Sequence, residues 1–534
     1  MTSTEWSRRQ FLLFLGRSAA VAAVAPVLAQ AGCSPQRFTL RPLRPSREDD
    51  FLLADGFDYE VLIKWGEPLG ASGENFGFNN DYIAFLPMEG PMDRARLWVN
   101  HEYINPYFVS GFHSGEKTRE QVEMEMYEVG GSSLLIERVH GHWRLSKEQA
   151  AKTRLTGRSP IAMISDRTVA GSELTIGTLA NCAGGVTPWG SVLTCEENYQ
   201  DYYGDVRFVD GARELIPGWY AWHKHFSYPP EHYGWVVEVN VETLNAKKLI
   251  ALGRFAHESA TVRVAADGRC VVYSGDDASN ECLYKFIADE VGSLHRGTLF
   301  VASLEQKRWL PLDIRSQDVL RENFTDQTEV MIRCREAAHL IGGTPLDRPE
   351  DVEIDPETGS VIVSLTYNLA KGNYYGSLLR LNEKNNDPLA LEFEWDTFIA
   401  GGPDTGFACP DNLAFDPAGN LWMTSDISGP RIGTKEYETF GNNGLFFIPM
   451  SGTDAGRVIQ IASGPVDSEL TGPCFSPDGR TLFLSVQHPG ELSRQAGRLT
   501  SHWPEGGDNI PRPAVVTISG PALDAIMKGR YETG

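Results

Sequence analysis

Acidic residues and a cysteine recur at matching ends of paired hydrophobic segments in this chain. In the clearest copy, Cys182 opens the first segment, and Glu196 and Glu197 close the second. An antiparallel hairpin returns to the end at which it began, so the residues that open and close it lie together. Clustered carboxylates with a thiolate can hold multivalent cations, which offset the mutual repulsion of the acids. The pattern therefore predicts a polynuclear metal site.

The same arrangement occurs six times in order. The copies occupy residues 81–102, 181–197, 256–277, 348–366, 409–426 and 472–488, and the first is the loosest. The candidate metal ligands at their ends are Glu102, Cys182, Glu196, Glu197, Glu258, Asp276, Asp277, Glu350 and Asp411. In the last copy Pro473 and Cys474 stand where an acid is expected, so we expect that copy to contribute no ligand.

Six ordered copies with a basic spacing of about 60 residues are typical of blades built from four short strands. We predict an all-β fold, a six-bladed β-propeller with inserted loops and few short helices, at 119–129 and 521–528. Arranged in a ring, the six hairpins aim their ends at one axial mouth. Pairing of residues 514–519 with residues 59–64 is expected to close the ring.

The N-terminus has the composition of an export signal. Arg8 and Arg9 precede Phe11-Leu12 and the apolar stretch 19–28, which is too short for a stable membrane span. We predict a twin-arginine signal peptide at 1–33, a linker at 34–50 and one propeller domain at 51–534. The expected location is the periplasm or the extracellular space, with lipid anchoring at Cys33 as an alternative. The formal net charge of −23 argues against a nucleic-acid partner.

Several motifs together resemble the PhoX-type alkaline phosphatases. They are N-C-A-G-G (181–185), T-P-W-G (187–190), L-T-C-E-E (193–197), G-R-F-A-H-E (253–258), G-D-D (275–277), R-P-E (348–350), D-N (411–412) and N-H-E (100–102). The resemblance implies a twin-arginine-exported propeller phosphatase with Fe³⁺ and Ca²⁺ at its axis. We expect the protein to act as a monomer. Its implied substrates are small phosphate monoesters.

The resemblance also implies roles for single residues. Cys182, Glu258 and Glu350 are expected to bind iron; Glu102, Asp276, Asp277 and Asp411 are calcium candidates. Glu196, Glu197 or both are expected to face the cluster, without a metal assigned to either. Arg348 is expected to clamp phosphate oxygens, unless it forms a salt bridge with a neighbouring acid. Asn100 is expected to donate a hydrogen bond to the same phosphate.

Two other functions fit parts of the pattern. A calcium-dependent propeller lactonase or esterase would use Asp411 and Asn412 but leaves Cys182 and Arg348 without a role. A non-catalytic binding propeller would use the metals only to hold the ring together. Iron content and turnover distinguish these alternatives from a phosphatase.

Overall fold

The computed structural model describes residues 37–88, 90, 93–209 and 212–534 of the chain. The predicted signal peptide at 1–33, including Cys33, lies outside the described residues. Among the described residues, no helix is long and apolar enough to cross a membrane.

Strands dominate the structure. The first are β1 (Phe38–Leu40), β2 (Leu52–Leu53), β3 (Asp58–Lys64), β4 (Asn80–Pro87), β5 (Arg94–His101), β6 (Gly130–Val139), β7 (His142–Leu145), β8 (Arg154–Leu155), β9 (Pro160–Ile164), β10 (Leu174–Ile176), β11 (Asn181–Val186), β12 (Val192–Glu196), β13 (Asp205–Val209), β14 (Ala212–Ile216), β15 (Val236–Val239) and β16 (Ala246–Leu249). The next are β17 (Thr261–Val264), β18 (Cys270–Gly275), β19 (Leu283–Ala288), β20 (Gly297–Ser303), β21 (Arg308–Pro311), β22 (Pro349–Ile354), β23 (Val361–Leu365), β24 (Ser377–Glu383) and β25 (Phe393–Ala400). The last are β26 (Pro410–Phe415), β27 (Leu421–Ser425), β28 (Gly444–Ile448), β29 (Ile459–Ser463), β30 (Glu469–Phe475), β31 (Leu482–Gln487), β32 (Ala514–Ser519) and β33 (Tyr531–Thr533).

Six sheets form the blades of a propeller, as predicted. Their strand orders are β4-β5-β6-β7 with β8 beside β6, β11-β12-β15-β16-β9-β10, β17-β18-β19-β20-β21, β22-β23-β24-β25, β26-β27-β28-β29-β2 and β30-β31-β32-β3. Strands β4, β11, β17, β22, β26 and β30 contact one another in a closed ring around the axis. Each of these innermost strands opens one of the six sequence copies.

The blades pack face to face, which buries both faces of their middle strands. Every residue of β12 and of β31 is buried, and hydrophobic clusters fill the spaces between neighbouring sheets. This packing explains why these strands read as almost continuous apolar runs, because neither face meets water.

The ring closes where the sequence predicted. β3 pairs antiparallel with β32, from Asp58 opposite Ser519 to Lys64 opposite Ala514. A strand from the N-terminal part of the chain thus completes the blade that the C-terminal strands begin, as the outer strand of that sheet. Within the predicted linker, β1 pairs in parallel with β33, and Leu40 is buried in the core of the closing blade.

Helices lie in the connections between strands. The α-helices are α1 (Pro106–Val109), α2 (Arg119–Glu128), α3 (Gln200–Tyr203), α4 (Asp318–Asn323), α5 (Gln327–Ile332), α6 (Cys334–Leu340), α7 (Ser493–Ala496) and α8 (Pro521–Met527). Short 3₁₀ turns cover Gly70–Ser72, Trp222–Lys224, Pro230–His232, Ile250–Leu252, Leu369–Lys371, Lys384–Asn386, Gly429–Arg431 and Lys435–Tyr437. Both predicted helices are present: α2 begins with a capping box at Thr118, and α8 begins with a proline.

Candidate metal centre

A β-bulge interrupts the start of the inner strand in five of the six blades. The pairing register shifts between Asn80 and Ile83, Asn181 and Gly184, Pro349 and Val352, Pro410 and Leu413, and Thr471 and Cys474. A bulge leaves residues unpaired and re-aims their side chains. In four of these blades the first unpaired residue is a candidate ligand: Asp81, Cys182, Glu350 and Asp411. Glu258 holds the same place in the remaining blade, directly after His257, which bridges to Asp276.

These side chains form one buried cluster. Ligand atoms within 4.8 Å of one another occur in three overlapping groups: Asp81, Glu102 and Cys182; Cys182, Glu197 and Glu258; and Glu258, Asp277 and Glu350. The Cys182 Sγ lies 3.2 Å from a carboxylate oxygen of Asp81 and 3.1 Å from one of Glu258. Asn412 links Asp411 to the cluster, because its amide nitrogen lies 3.1 Å from both Asp411 and Glu258.

Three of the acids come from the strands that return to the axis. Glu102, Glu197 and Asp277 each follow directly on a residue that pairs with the start of the inner strand. Successive side chains of an extended chain point to opposite sides. The paired residue therefore faces into the blade, and the residue after it faces the cluster.

This alternation corrects the expectation that Glu196 and Asp276 are ligands. Both oxygens of Glu196 accept hydrogen bonds from Lys248, at 2.7 and 2.9 Å, and the backbone N–H groups of Gly234 and Trp235 also donate to it. Asp276 forms a two-bond salt bridge with Arg335. The structure thus brings Glu197 and Asp277 into the cluster and turns their neighbours away from it.

Asn100 also has a different role from the one expected. Its amide nitrogen donates to the backbone carbonyls of Cys182 and Ala183, and its oxygen accepts from Trp98 and Thr194. The side chain is fully buried. Both N–H groups are thus engaged by the backbone around Cys182, so Asn100 positions this strand and has no donor left for a phosphate.

Arg348 lies at the edge of the cluster. It forms a salt bridge with neighbouring acids, which was the alternative to a role in phosphate binding. Its Nε and one Nη donate to the two oxygens of Asp277 at 2.8 and 2.6 Å, and the same Nη lies 2.9 Å from Glu350. The guanidinium stacks on the ring of Tyr367, and its second Nη lies 4.0 Å from Asp426. One edge of the guanidinium is therefore not engaged by the acids.

Burial and mutual repulsion raise the pKa values of all the acids of the cluster except Asp277. Burial raises the pKa of Asp81 to about 6 and the pKa of Glu102 and of Asp411 to about 8, and it raises the pKa values of Glu197, Glu258 and Glu350 well above normal. Neighbouring carboxylates add to the rise in most of them. Burial also raises the pKa of the Cys182 thiol, whereas Arg348 helps to hold the pKa of Asp277 below its usual value.

The donor set fits multivalent cations. Several carboxylates that are too close to be ionised together become stable anions when a cation lies among them. Oxygen ligands suit hard cations such as Ca²⁺ and Fe³⁺, and the single thiolate adds a soft ligand that calcium does not prefer. The residues therefore provide places for more than one kind of metal.

Sequence reasoning missed several members of the site. Asp81 opens the loosest copy at the position that Cys182, Glu350 and Asp411 hold in theirs, so alignment of the copies could have identified it. The last blade, expected to contribute no acid, brings Glu469 to Asp411. It also supplies Gln487, which donates to Asp81 and Glu102 at 3.1 and 3.0 Å. No motif pointed to Glu469, because it lies four residues before Pro473, outside the sixth copy.

The family model for the alkaline phosphatase PhoX matches residues 38–490. The chain belongs to the PhoX alkaline phosphatase family. Among solved structures it is similar to Pseudomonas fluorescens PhoX in complex with vanadate, a transition state analogue, with 28% identity, a TM-score of 0.83, and coverage of 93% of this chain and 100% of that one. The protein is thus a phosphatase with the propeller fold of PhoX.

Two further solved structures match this chain only weakly. A putative gluconolactonase has 10% identity and a TM-score of 0.36, and covers 90% of this chain and 98% of its own. A protein of unknown function from Dyadobacter fermentans has 11% identity and a TM-score of 0.37, with 87% and 100% coverage. No curated protein matches the chain.

Proposed function

We propose that this phosphatase hydrolyses small phosphate monoesters with Fe³⁺ and Ca²⁺ held at the propeller axis. The observation that carries the proposal is the buried cluster of Asp81, Glu102, Cys182, Glu197, Glu258, Asp277 and Glu350. We assign iron to the part around Cys182, Glu258 and Glu350, because a thiolate is a poor ligand for calcium. Glu102, Asp277 and Asp411 supply the all-oxygen surroundings that suit calcium.

When bound, these metals supply Lewis acidity that favours attack of water on phosphorus. The chain itself provides orientation and charge. Asp277 and Glu350 fix the guanidinium of Arg348 on one side, and its remaining edge is available to phosphate oxygens. In that position Arg348 offsets the charge on the equatorial oxygens in the transition state.

Asn100 and the last blade keep the ligands in place. Asn100 holds the carbonyl groups of Cys182 and Ala183, the two residues of the bulge, which sets the direction of the thiol. Gln487 bridges Asp81 and Glu102, two acids from the same blade. Such fixed outer contacts typically change metal affinity by about 10- to 100-fold when they are removed.

Metal analysis with p-nitrophenyl phosphate turnover tests the proposal. We expect iron and calcium in the exported wild-type protein, and the loss of iron and turnover in Cys182→Ala. Cys195→Ala is a matched control, because Cys195 is also a buried thiol but packs in the hydrophobic core beside Trp235. Calcium without iron in an active wild-type enzyme would contradict the iron assignment.

We further propose that the protein is exported by the twin-arginine machinery to the periplasm or beyond and acts there as a monomer. The paired arginines before an apolar stretch support this. Changing Arg8 and Arg9 to lysine is expected to leave the precursor and its activity in the cytoplasm. Export of that double variant at the wild-type level would exclude this route.

A further inference from the structure

A second arginine lies beside Arg348 at the mouth of the site. Arg431 ends the 3₁₀ turn Gly429–Arg431, which follows β27 on the side where that strand reaches the axis. Its guanidinium carbon lies 4.8 Å from the centroid of the Tyr367 ring, and that of Arg348 lies 4.7 Å from the same centroid. The two guanidinium groups are therefore less than about 10 Å apart, on one shared aromatic ring.

The two arginines differ in their partners. Arg348 is tied to Asp277 and Glu350, whereas the Nη1 of Arg431 is buried and has no hydrogen-bond partner within the described part of the chain. A buried donor without an acceptor is costly, and such groups in native proteins usually meet a water or a ligand. Arg431 thus has an unused donor close to Arg348, the residue at which the proposed function places the phosphate.

The surroundings hold Arg431 in place. Its backbone N–H donates to Ser428 at 2.8 Å, and its carbonyl accepts from Thr434. The neighbouring Ile432 packs with Tyr367 against a buried hydrophobic cluster that includes Tyr437 and Phe440. The fold therefore fixes the backbone that carries the guanidinium, and the guanidinium itself rests on the Tyr367 ring.

We propose that Arg431 binds a second anionic group on the leaving group of the substrate. The preferred substrates are then phosphate monoesters of alcohols that carry a carboxylate or another phosphate a few bonds from the ester. This inference rests on the proposed function, because the scissile phosphate is placed at Arg348. A guanidinium binds either anion by donating two parallel hydrogen bonds, and the two arginines are close enough for one small substrate to reach both.

The test compares two substrates that differ in one group. 2-Phosphoglycerate carries a carboxylate where glycerol 2-phosphate has a hydroxymethyl group. We expect wild type to prefer 2-phosphoglycerate in kcat/KM, and R431Q to reduce this preference about tenfold, mainly through KM. R431K keeps the charge without the planar fork and is expected to lie between the two; it also serves as the test if R431Q does not fold.

K435Q is the matched control. Lys435 is exposed in the following turn, so the substitution removes the same charge from the same segment without touching Tyr367. An unchanged preference in R431Q and R431K, or an equal change in K435Q, would overturn the inference. Wild-type protein that hydrolyses neither substrate would instead contradict the proposed function.

Discussion

Glu196 and Glu197 are adjacent in sequence, yet their replacement by glutamine is expected to have opposite effects. Glu196 and Lys248 form an ion pair in which neither side chain has exposed surface. Removing one partner of a buried pair costs about 3–5 kcal/mol, because the other charge is left without compensation. Burial already lowers the pKa of Lys248 to about 8, so in E196Q the lysine loses its proton instead of remaining charged. We therefore expect the lower end of the range, about 3 kcal/mol.

Glu197 lies in the cluster, where burial and the neighbouring Asp277 and Glu102 raise its pKa well above normal. In metal-free protein, a neutral amide at this position removes repulsion. Metal-free E197Q is therefore expected to be at least as stable as wild type. In metal-loaded protein the same change removes a ligand, and we expect metal affinity to fall at least tenfold.

Urea denaturation of chelator-treated protein measures the first effect, and metal content with phosphatase turnover measures the second. Glutamine has nearly the size of glutamate, so neither variant creates a cavity. We expect E196Q to shift the unfolding midpoint down and E197Q to leave it unchanged or higher. If metal-free E197Q is destabilised as much as E196Q, the assignment of these two residues to opposite sides of the strand is wrong.

Three further predictions concern pH, Asn100 and ring closure. In metal-free protein, Glu102 and Asp411 hold protons more tightly in the folded state than in the unfolded state, so the free energy of unfolding is expected to decrease as the pH rises from 5 through 8. Metal-loaded protein should not show this decrease. A pH series of unfolding midpoints checks both expectations. N100A is expected to lower the metal content, because Asn100 holds the backbone at Cys182. The inhibition constant of inorganic phosphate in the remaining metal-loaded enzyme is expected to stay unchanged. A large increase in that constant would instead indicate that Asn100 contacts phosphate directly. Deleting residues 511–534 removes β32 and is expected to abolish soluble expression. Deleting only residues 531–534 is expected to retain it. If the longer deletion is soluble and active, β32 does not close the ring.

The sequence indicates the propeller because each blade repeats a local rule. A hairpin with apolar strands and a turn between them can be recognised from neighbouring residues alone, and six copies in order leave few alternatives to a ring. For the same reason it indicates which end of each hairpin carries the ligands. Cys182, Glu258 and Glu350 were identified in this way, and the structure brings all three into one cluster.

The direction of each side chain was decided only by the tertiary structure. Where two acids are adjacent, as at Glu196-Glu197 and Asp276-Asp277, one must face the axis and the other the blade, and the choice depends on strand register and bulges set by pairing between distant segments. Their partners Lys248 and Arg335 come from elsewhere in the chain, so no local pattern reveals them. The sequence alone thus determined the ring and the kind of metal-binding groups at its mouth, whereas long-range pairing determined which of those groups meet.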